Sequence, residues 1–250
     1  MGDSQQRFFH LHVQKTAGTS LRRRVQHHFG ARAVYPDASD GIENIESVLS
    51  IPHLQERFRA RGDEIRFVSG HFPLCTTEFL DGDFATLTVL RDPVERTLSY
   101  LRHQSEEPEG RGASLEDTYE DRWHFDTAIH NFMVKVLSLT PEEAAAASVM
   151  AQVEFTPERL ERAKEALASM AAFGLQERFE EFCGELARRF GWDLGPPRRA
   201  NPTGRAKVSD GFRARIADDN AMDVELFEFA TRLYEERRRS VPVAPARSRS

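Results

Sequence analysis

A short loop between a predicted strand and a predicted helix constrains this chain more than any other feature. The apolar, strand-prone residues 8–13 are followed by Lys15 and by a run of small and hydroxyl residues at 16–20. Residues 21–29 then repeat apolar side chains at helical spacing. In a strand–loop–helix unit, loop N–H groups and the positive end of the helix dipole point at one place. Lys15 adds a full positive charge there, so the loop is suited to a phosphate-like group.

The loop does not follow the phosphate-binding pattern of ATPases and nucleotide kinases. That pattern, GxxxxGK[ST], places the lysine at the end of the loop. Here Lys15 precedes Gly18, and no second glycine stands at the required distance. The spacing therefore disfavours an ATPase or a nucleotide kinase.

A second strand–helix junction supplies another anion-binding group. Residues 86–90 alternate β-branched and leucine side chains, which predicts a buried parallel strand. Arg91 follows this strand, and Asp92 and Pro93 are typical of a helix N-cap and a first helical residue. Ligands of open α/β sheets bind beyond the carboxyl ends of strands, and a guanidinium fits a phosphate. Ser99, about two helical turns further on, adds a hydroxyl donor.

Together the two junctions resemble the sulfotransferases that use 3′-phosphoadenosine 5′-phosphosulfate (PAPS), in particular the heparan sulfate 2-O- and 6-O-sulfotransferase type and its bacterial relatives. In that family the first loop, here Lys15, Thr16, Ala17, Gly18, Thr19 and Ser20, holds the 5′-phosphosulfate. An arginine and a serine eight positions apart bind the 3′-phosphate, and Arg91 and Ser99 have this spacing. The similarity continues through residues 130–138, 173–192, 201–207 and 220–234, so it covers roughly residues 7–236.

The resemblance and the length of 250 residues imply one α/β domain over 1–236. We expect a P-loop-like three-layer sandwich with a central, mostly parallel sheet and a helix-rich carboxyl-terminal half. The basic, proline-rich residues 237–250 are expected to form a disordered tail. The predicted strands are 7–13, 65–69, 86–90 and 172–175; the predicted helices are 19–29, 52–61, 93–105, 157–170, 178–190, 210–218 and 223–239, with 115–150 largely helical.

Charge and composition narrow the partners and the compartment. The net charge of −6 disfavours a nucleic-acid partner, although a local basic cleft is compatible with it. No run of about 18 apolar residues is present, so we expect no transmembrane segment. The amino terminus has no apolar signal core, and the two cysteines do not imply a disulfide framework. We therefore expect a cytoplasmic protein.

Sulfuryl transfer requires positive charge at the leaving phosphate and a base for the acceptor proton. Lys15 is the candidate for the first role, and we expect no metal to be required. His71 is the candidate base, because it follows the predicted strand 65–69 and imidazole titrates near neutral pH. The family resemblance also implies a catalytic histidine after the second core strand. A packed or capping role for His71 is the alternative; His103 is the next candidate base, and His12 is expected to be buried in the first strand.

The sequence leaves the acceptor open. The resemblance implies a hydroxyl-bearing carbohydrate, with a lipid or a small metabolite as alternatives, and region 105–130 is the expected acceptor side. A nucleotide kinase and a non-catalytic nucleotide-binding module remain as alternative functions. Several further polar residues are compatible with either a site role or a structural role: Arg96, His124, His130, Asn131, Arg198, Arg199, Arg205 and Lys207.

Overall fold

A parallel sheet lies at the centre of the protein. The computed structural model describes residues 6–107, 112–196 and 208–240, and within these ranges five strands form one sheet in which every pairing is parallel. The strand order is β2-β3-β1-β4-β5. The strands are β1 (Arg7–Leu11), β2 (Val34–Tyr35), β3 (Phe67–Gly70), β4 (Phe84–Leu90) and β5 (Ala172–Leu175).

Helices surround this sheet, and most of them follow β4 in the chain. The described α-helices are α1 (Gly18–Phe29), α2 (Glu46–Leu49), α3 (Ile51–Arg61), α4 (Pro93–Glu106), α5 (Leu115–Glu120), α6 (Arg122–His124), α7 (Phe132–Ser138), α8 (Pro141–Ala147), α9 (Pro157–Ser169), α10 (Phe179–Phe190), α11 (Asp210–Asp219) and α12 (Ala221–Ser240). A π-helical turn, Phe125–Ile129, joins α6 to the residues before α7. None of the described helices is both long and apolar enough to cross a bilayer.

Alternating side chains of the strands divide the core into two layers. Phe8 of β1 packs with α1 and α10 on one face, whereas Phe9 packs with α3, α7, α9 and α12 on the other. In β4, Leu87 and Leu90 likewise belong to opposite faces. A strand that is apolar on both faces is stable only when helices cover both of them. The two core layers therefore make a three-layer α/β sandwich.

The direction of chain travel explains why α1 lies on the opposite face of the sheet from α3, which follows β2, and from α7 and α9, which follow β4. After β1 the chain moves to the β2 edge of the sheet, and it then returns stepwise across the sheet to β5. Right-handed crossovers place connections that run in opposite directions on opposite faces. The reversal leaves a crevice above the central strands, which is where ligands of open α/β sheets bind.

The predicted fold class is confirmed, and several element boundaries differ from those predicted. The sequence analysis missed the short strand β2, and it began the second predicted strand at residue 65, whereas β3 begins at Phe67. The disordered tail predicted from residue 237 is wrong for residues 237–240, because α12 continues to Ser240. Arg237 packs over the Phe173 ring, 5.0 Å from its centroid, and donates to the Ala168 carbonyl. Residues 241–250 lie outside the described residues.

A buried ion cluster fixes the segment that leads from β2 to α2. The Asp40 carboxylate accepts hydrogen bonds from Arg57 Nε at 2.9 Å and from two nitrogens of Arg61. Asp37 and Asp40 also cap each other's backbone. Burial alone would raise the pKa of Asp40, but the hydrogen bonds from Arg61, the Asp37 backbone and Arg57 outweigh it and lower the pKa to about 2.

We expect Asp40→Asn to lower the free energy of unfolding at pH 7 by about 3 kcal/mol, because it removes the nearer carboxylate partner of the buried Arg61 guanidinium and leaves only Asp37, at 3.5 Å. Asp63→Asn is the control, since Asp63 is fully exposed and its carboxylate lies 3.8 Å from Arg7. Urea unfolding measures both. The pKa of Asp40 is depressed, so its contribution is complete above the ordinary value of 3.8 and is lost as the pH falls toward about 2. The stability difference between the wild type and Asp40→Asn should therefore become smaller as the pH falls from 3.8 to about 2. A difference that stayed constant over this range would contradict the ionised Asp40 as the source of the stabilisation.

Candidate functional site

One cavity of about 690 Å³ opens at the carboxyl edge of the sheet and collects side chains from four strand ends. Lys15 follows β1, His71 follows β3, Arg91 follows β4 and Gln176 follows β5. The strand register brings these ends level, because Leu11 pairs with Gly70 on one side and with Thr88 on the other. Of the predicted site residues, the cavity is lined by Lys15, Ala17, Gly18, Thr19, Ser20, His71, Arg91 and Ser99.

The loop between β1 and α1 has an unusual backbone. Lys15 and Ala17 adopt positive φ values of 66° and 70°, a conformation that side chains other than glycine rarely adopt. A left-handed Ala17 followed by a helical Gly18 turns successive N–H groups toward one side. The first backbone bond of α1 runs from Leu21 N to Ala17 O at 3.0 Å, so the N–H groups of residues 18–20 are not used within the helix. Residues 18–20 all line the cavity, so these N–H groups are available to an anion bound there.

Thr16 differs from the rest of the predicted loop. Its side chain is fully buried, and Oγ1 donates to the Val13 carbonyl at 2.8 Å. Thr16 does not line the cavity. The Thr16 side chain therefore stabilises the loop through a buried hydrogen bond, and only the Thr16 backbone is available to contact a ligand.

His12 lies in the cavity, although the sequence analysis placed it in the buried interior of the first strand. Strand β1 ends at Leu11, and His12 is half-buried beyond it. Its ring lies against the first residue of α1, since a Cβ built on Gly18 would be 1.9 Å from the His12 ring. Gly18 is therefore required for this close approach. The missed signal was the strand boundary, which alternation of apolar side chains defines poorly.

We expect Gly18→Ala to lower the free energy of unfolding by about 1–3 kcal/mol, because the added methyl group must displace the His12 ring. Gly211→Ala is the matched control: Gly211 lies in the first turn of α11, and nothing lies within 4 Å of its added Cβ. Alanine is the better helix former, so that variant should gain about 0.5–1 kcal/mol. Thermal unfolding compares the two, and an equal gain at both positions would contradict the contact with His12.

His71 has the tautomer that a base requires. Its Nδ1 lies 2.9 Å from the His12 carbonyl, which can only accept, so Nδ1 carries the hydrogen and Nε2 of the neutral ring carries the lone pair. Burial lowers the pKa of His71; the bond to the His12 carbonyl opposes this in part, and the Lys15 charge lowers the pKa further. His71 is thus neutral and able to accept a proton at neutral pH.

Two more histidine rings extend from His71 into the interior. The ring centroids of His71 and His12 are 4.4 Å apart, and His12 stacks on His10 at 5.3 Å. His10 is fully buried, with Nδ1 2.9 Å from Ser69 Oγ. Burial, followed by the neighbouring His71, lowers the pKa of His10 to about 3. The three rings therefore remain uncharged, and the positive charge of the site is confined to Lys15 and Arg91.

Lys15 and Arg91 are held together although they are far apart in the sequence. Arg91 Nη1 donates to the Lys15 carbonyl at 3.1 Å, which ties the end of β4 to the loop. Burial lowers the pKa of Lys15, and the Arg91 charge lowers it as well, whereas Glu106 and Glu107 raise it. Two cations in one partly buried cavity repel each other unless an anion lies between them.

Arg96 and Asn131, whose roles the sequence left open, are structural. Arg96 is fully buried, and its Nη1 and Nη2 donate to the carbonyls of Ala128 and Ile129 at 3.0 and 3.1 Å. Asn131 is 4% exposed, and its Oδ1 accepts from the first N–H groups of α12. Neither side chain lines the cavity at the sheet edge.

The expected acceptor side over 105–130 differs from the observed walls of the cavity. His124 is hydrogen-bonded to Tyr100 Oη at 2.7 Å, and His130 lines a separate surface depression with Phe155. None of the described residues in 105–130 lines the cavity, whose remaining wall comes instead from Ile45, Val48 and Leu49. These three apolar residues have helical i, i+3, i+4 spacing, which was the available signal.

The remaining candidates occupy the margin of the site or lie outside it. His103, the second candidate base, lines the edge of the cavity, is exposed, and lies 3.7 Å from Glu107. In the part of the chain that the structure describes, no group of three or more His, Cys, Asp or Glu residues could hold a metal ion. Arg198, Arg199, Arg205 and Lys207 lie outside the described residues.

Comparison with known proteins assigns no family. No protein-family model matches the chain, and no curated protein sequence matches it. The chemistry of the cavity is therefore the basis for assigning a function.

Proposed function

We propose that this protein is a sulfotransferase that moves the sulfuryl group of PAPS to a hydroxyl group of an acceptor. One observation carries the proposal: a single cavity contains the anion-binding loop, a second cation on the neighbouring strand, and a histidine in the tautomer of a base. The resemblance of the loop and of the Arg91–Ser99 pair to PAPS-dependent sulfotransferases names the donor.

The cavity offers two separate places for anionic groups. The first is the loop, with Lys15 and the N–H groups at the start of α1. The second is formed by Arg91 and Ser99, which line the cavity from β4 and α4. A donor with a phosphosulfate at the 5′ position and a phosphate at the 3′ position requires both. A guanidinium has five N–H donors, so the contact with Lys15 is compatible with phosphate binding by Arg91.

The residues of the cavity divide the reaction between them. His71 accepts the proton of the acceptor hydroxyl at Nε2 while the acceptor oxygen forms its bond to sulfur. The bond between sulfur and the phosphate oxygen breaks, and adenosine 3′,5′-bisphosphate (PAP) is the leaving group. Lys15 and the loop N–H groups stabilise the negative charge that develops on this phosphate. Atoms and charges balance without a metal ion.

Two other functions make different demands on the site. A nucleotide kinase needs the lysine at the end of the loop, and here Lys15 precedes Gly18. A non-catalytic nucleotide-binding module would bind PAP without transferring sulfate. A transfer assay with radiolabelled sulfate in PAPS distinguishes this module from an enzyme.

We expect PAP to bind much more tightly than AMP, because AMP lacks the 3′-phosphate. Arg91→Ala should cost about 2–4 kcal/mol of PAP binding and should reduce the preference for PAP over AMP. Arg23→Ala is the control, since Arg23 is an exposed arginine of α1 outside the cavity. Calorimetry measures the affinity of the wild type and of each variant for PAP and for AMP. Equal affinity of the wild type for PAP and AMP would contradict a separate 3′-phosphate site at Arg91 and Ser99.

We expect His71→Ala to fold, to bind PAP nearly as well as the wild type, and to lose about 10²–10⁴-fold in turnover. The wild-type pH profile should rise with a midpoint below 6.5, because burial and Lys15 lower the pKa of His71. The ascending limb should be absent from the variant. His27→Ala, at an exposed histidine of α1, controls for nonspecific effects. Full activity of His71→Ala would redirect the search for the base to His103.

A further inference from the structure

The wall of the cavity beside His71 is apolar. Ile45, Val48 and Leu49 line it, and Ile45 is 68% exposed, an unusual state for a large aliphatic side chain in this protein. The wall is tied to the candidate base, since the backbone N–H of His71 donates to the Val48 carbonyl at 2.7 Å. The apolar wall and the candidate base therefore belong to adjoining segments that line the same cavity.

The order of the strands separates this wall from the anion sites. The loop after β1 is central, Arg91 and Ser99 lie on the β4 side, and His71 and the apolar wall lie on the β3 side. A donor that extends from the loop to Arg91 therefore occupies the β4 side. The β3 side is left to the molecule whose hydroxyl reacts at His71.

The charge of this side disfavours an anionic acceptor. Residues 34–56 contain no lysine or arginine, and Glu43 and Glu46, which flank Ile45, are exposed. Among the described residues that line the cavity, Lys15 and Arg91 are the only lysine and arginine, and both belong to the donor sites. Arg22, whose charge acts on His12, donates to the Pro36 carbonyl and does not line the cavity, so a polyanion would find few cations on this side.

We propose that the acceptor is an uncharged alcohol whose apolar body packs against Ile45, Val48 and Leu49. This inference rests on the proposed sulfuryl transfer. The acceptor oxygen forms a bond to sulfur, its proton passes to His71, and a sulfate ester and PAP are the products. Each methylene that becomes buried on the wall should improve acceptor binding roughly fourfold.

The test compares three acceptors with radiolabelled PAPS: octan-1-ol, methyl β-D-glucoside and a glucuronic-acid-containing oligosaccharide. Octan-1-ol should give a kcat/KM at least about 10-fold above that of the glucoside, and the oligosaccharide should be the poorest acceptor. Ile45→Glu and Ile45→Ser should each lower kcat/KM for octan-1-ol by about 10-fold and leave the Kd for PAP unchanged. Ile42→Glu is the matched control, because Ile42 is an exposed isoleucine of the same segment that does not line the cavity.

Each outcome decides for or against the apolar acceptor. Preference for the anionic oligosaccharide, or equal effects of Ile42→Glu and Ile45→Glu, would overturn it and leave sulfuryl transfer in place. Weaker PAP binding by Ile45→Glu would overturn it by assigning the wall to the adenosine. PAP binding without transfer to any of the three acceptors would overturn it in favour of a binding module. Absence of both PAP binding and transfer would remove the proposed function itself.

Discussion

The central position of β1 between β3 and β4 controls the arrangement of the site. Parallel pairing on both sides levels the carboxyl ends of three strands, so that Lys15, His71 and Arg91 meet although they are distant in the sequence. The pairing leaves little space above β1. The His12 ring fills it, contacts His71 and requires glycine at position 18. The position of the candidate base and the start of α1 therefore depend on the same packing contact.

The site also separates neutral groups from charged ones. Three neighbouring histidines could carry positive charge, but burial lowers their pKa values and favours the neutral form. Among the described residues that line the cavity, the lysine and the arginine are Lys15 and Arg91. In the proposed function, donor binding and proton acceptance belong to different side chains. The net charge of −6 is compatible with an anionic donor, because only the local field of the cavity must be positive.

The sequence predicted those features that depend on local patterns. Strand periodicity, the loop composition and the Asp92–Pro93 helix start indicated an α/β fold and placed Lys15, His71 and Arg91 at one edge of the sheet. Features that depend on tertiary contacts were missed. Strand β2 has only two residues and no alternation to detect. The wall from Ile45 to Leu49 was not predicted, because α2 is a single turn whose position depends on the buried Asp40 cluster and on the bond to His71.

The helix-rich carboxyl-terminal half contributes Gln176 to the site, and it also holds α4, which carries Ser99. Ser99 lines the cavity only if α4 is rotated correctly about its axis. The buried Arg96 of α4 fixes that rotation, because its guanidinium is bonded to another segment of the chain. The Arg96 guanidinium donates hydrogen bonds to the carbonyls of Ala128 and Ile129 in the π-helical region. The negative charge of the buried Asp223 favours the charged form of Arg96. Asp223 in turn caps α7 through the N–H groups of Met133 and Val134, at 3.0 and 2.8 Å. The start of α12, the start of α7 and the rotation of α4 are therefore coupled by buried polar contacts. Each of these contacts is costly to leave unpaired, so the network holds α4 in one orientation, with Ser99 on its cavity-facing side.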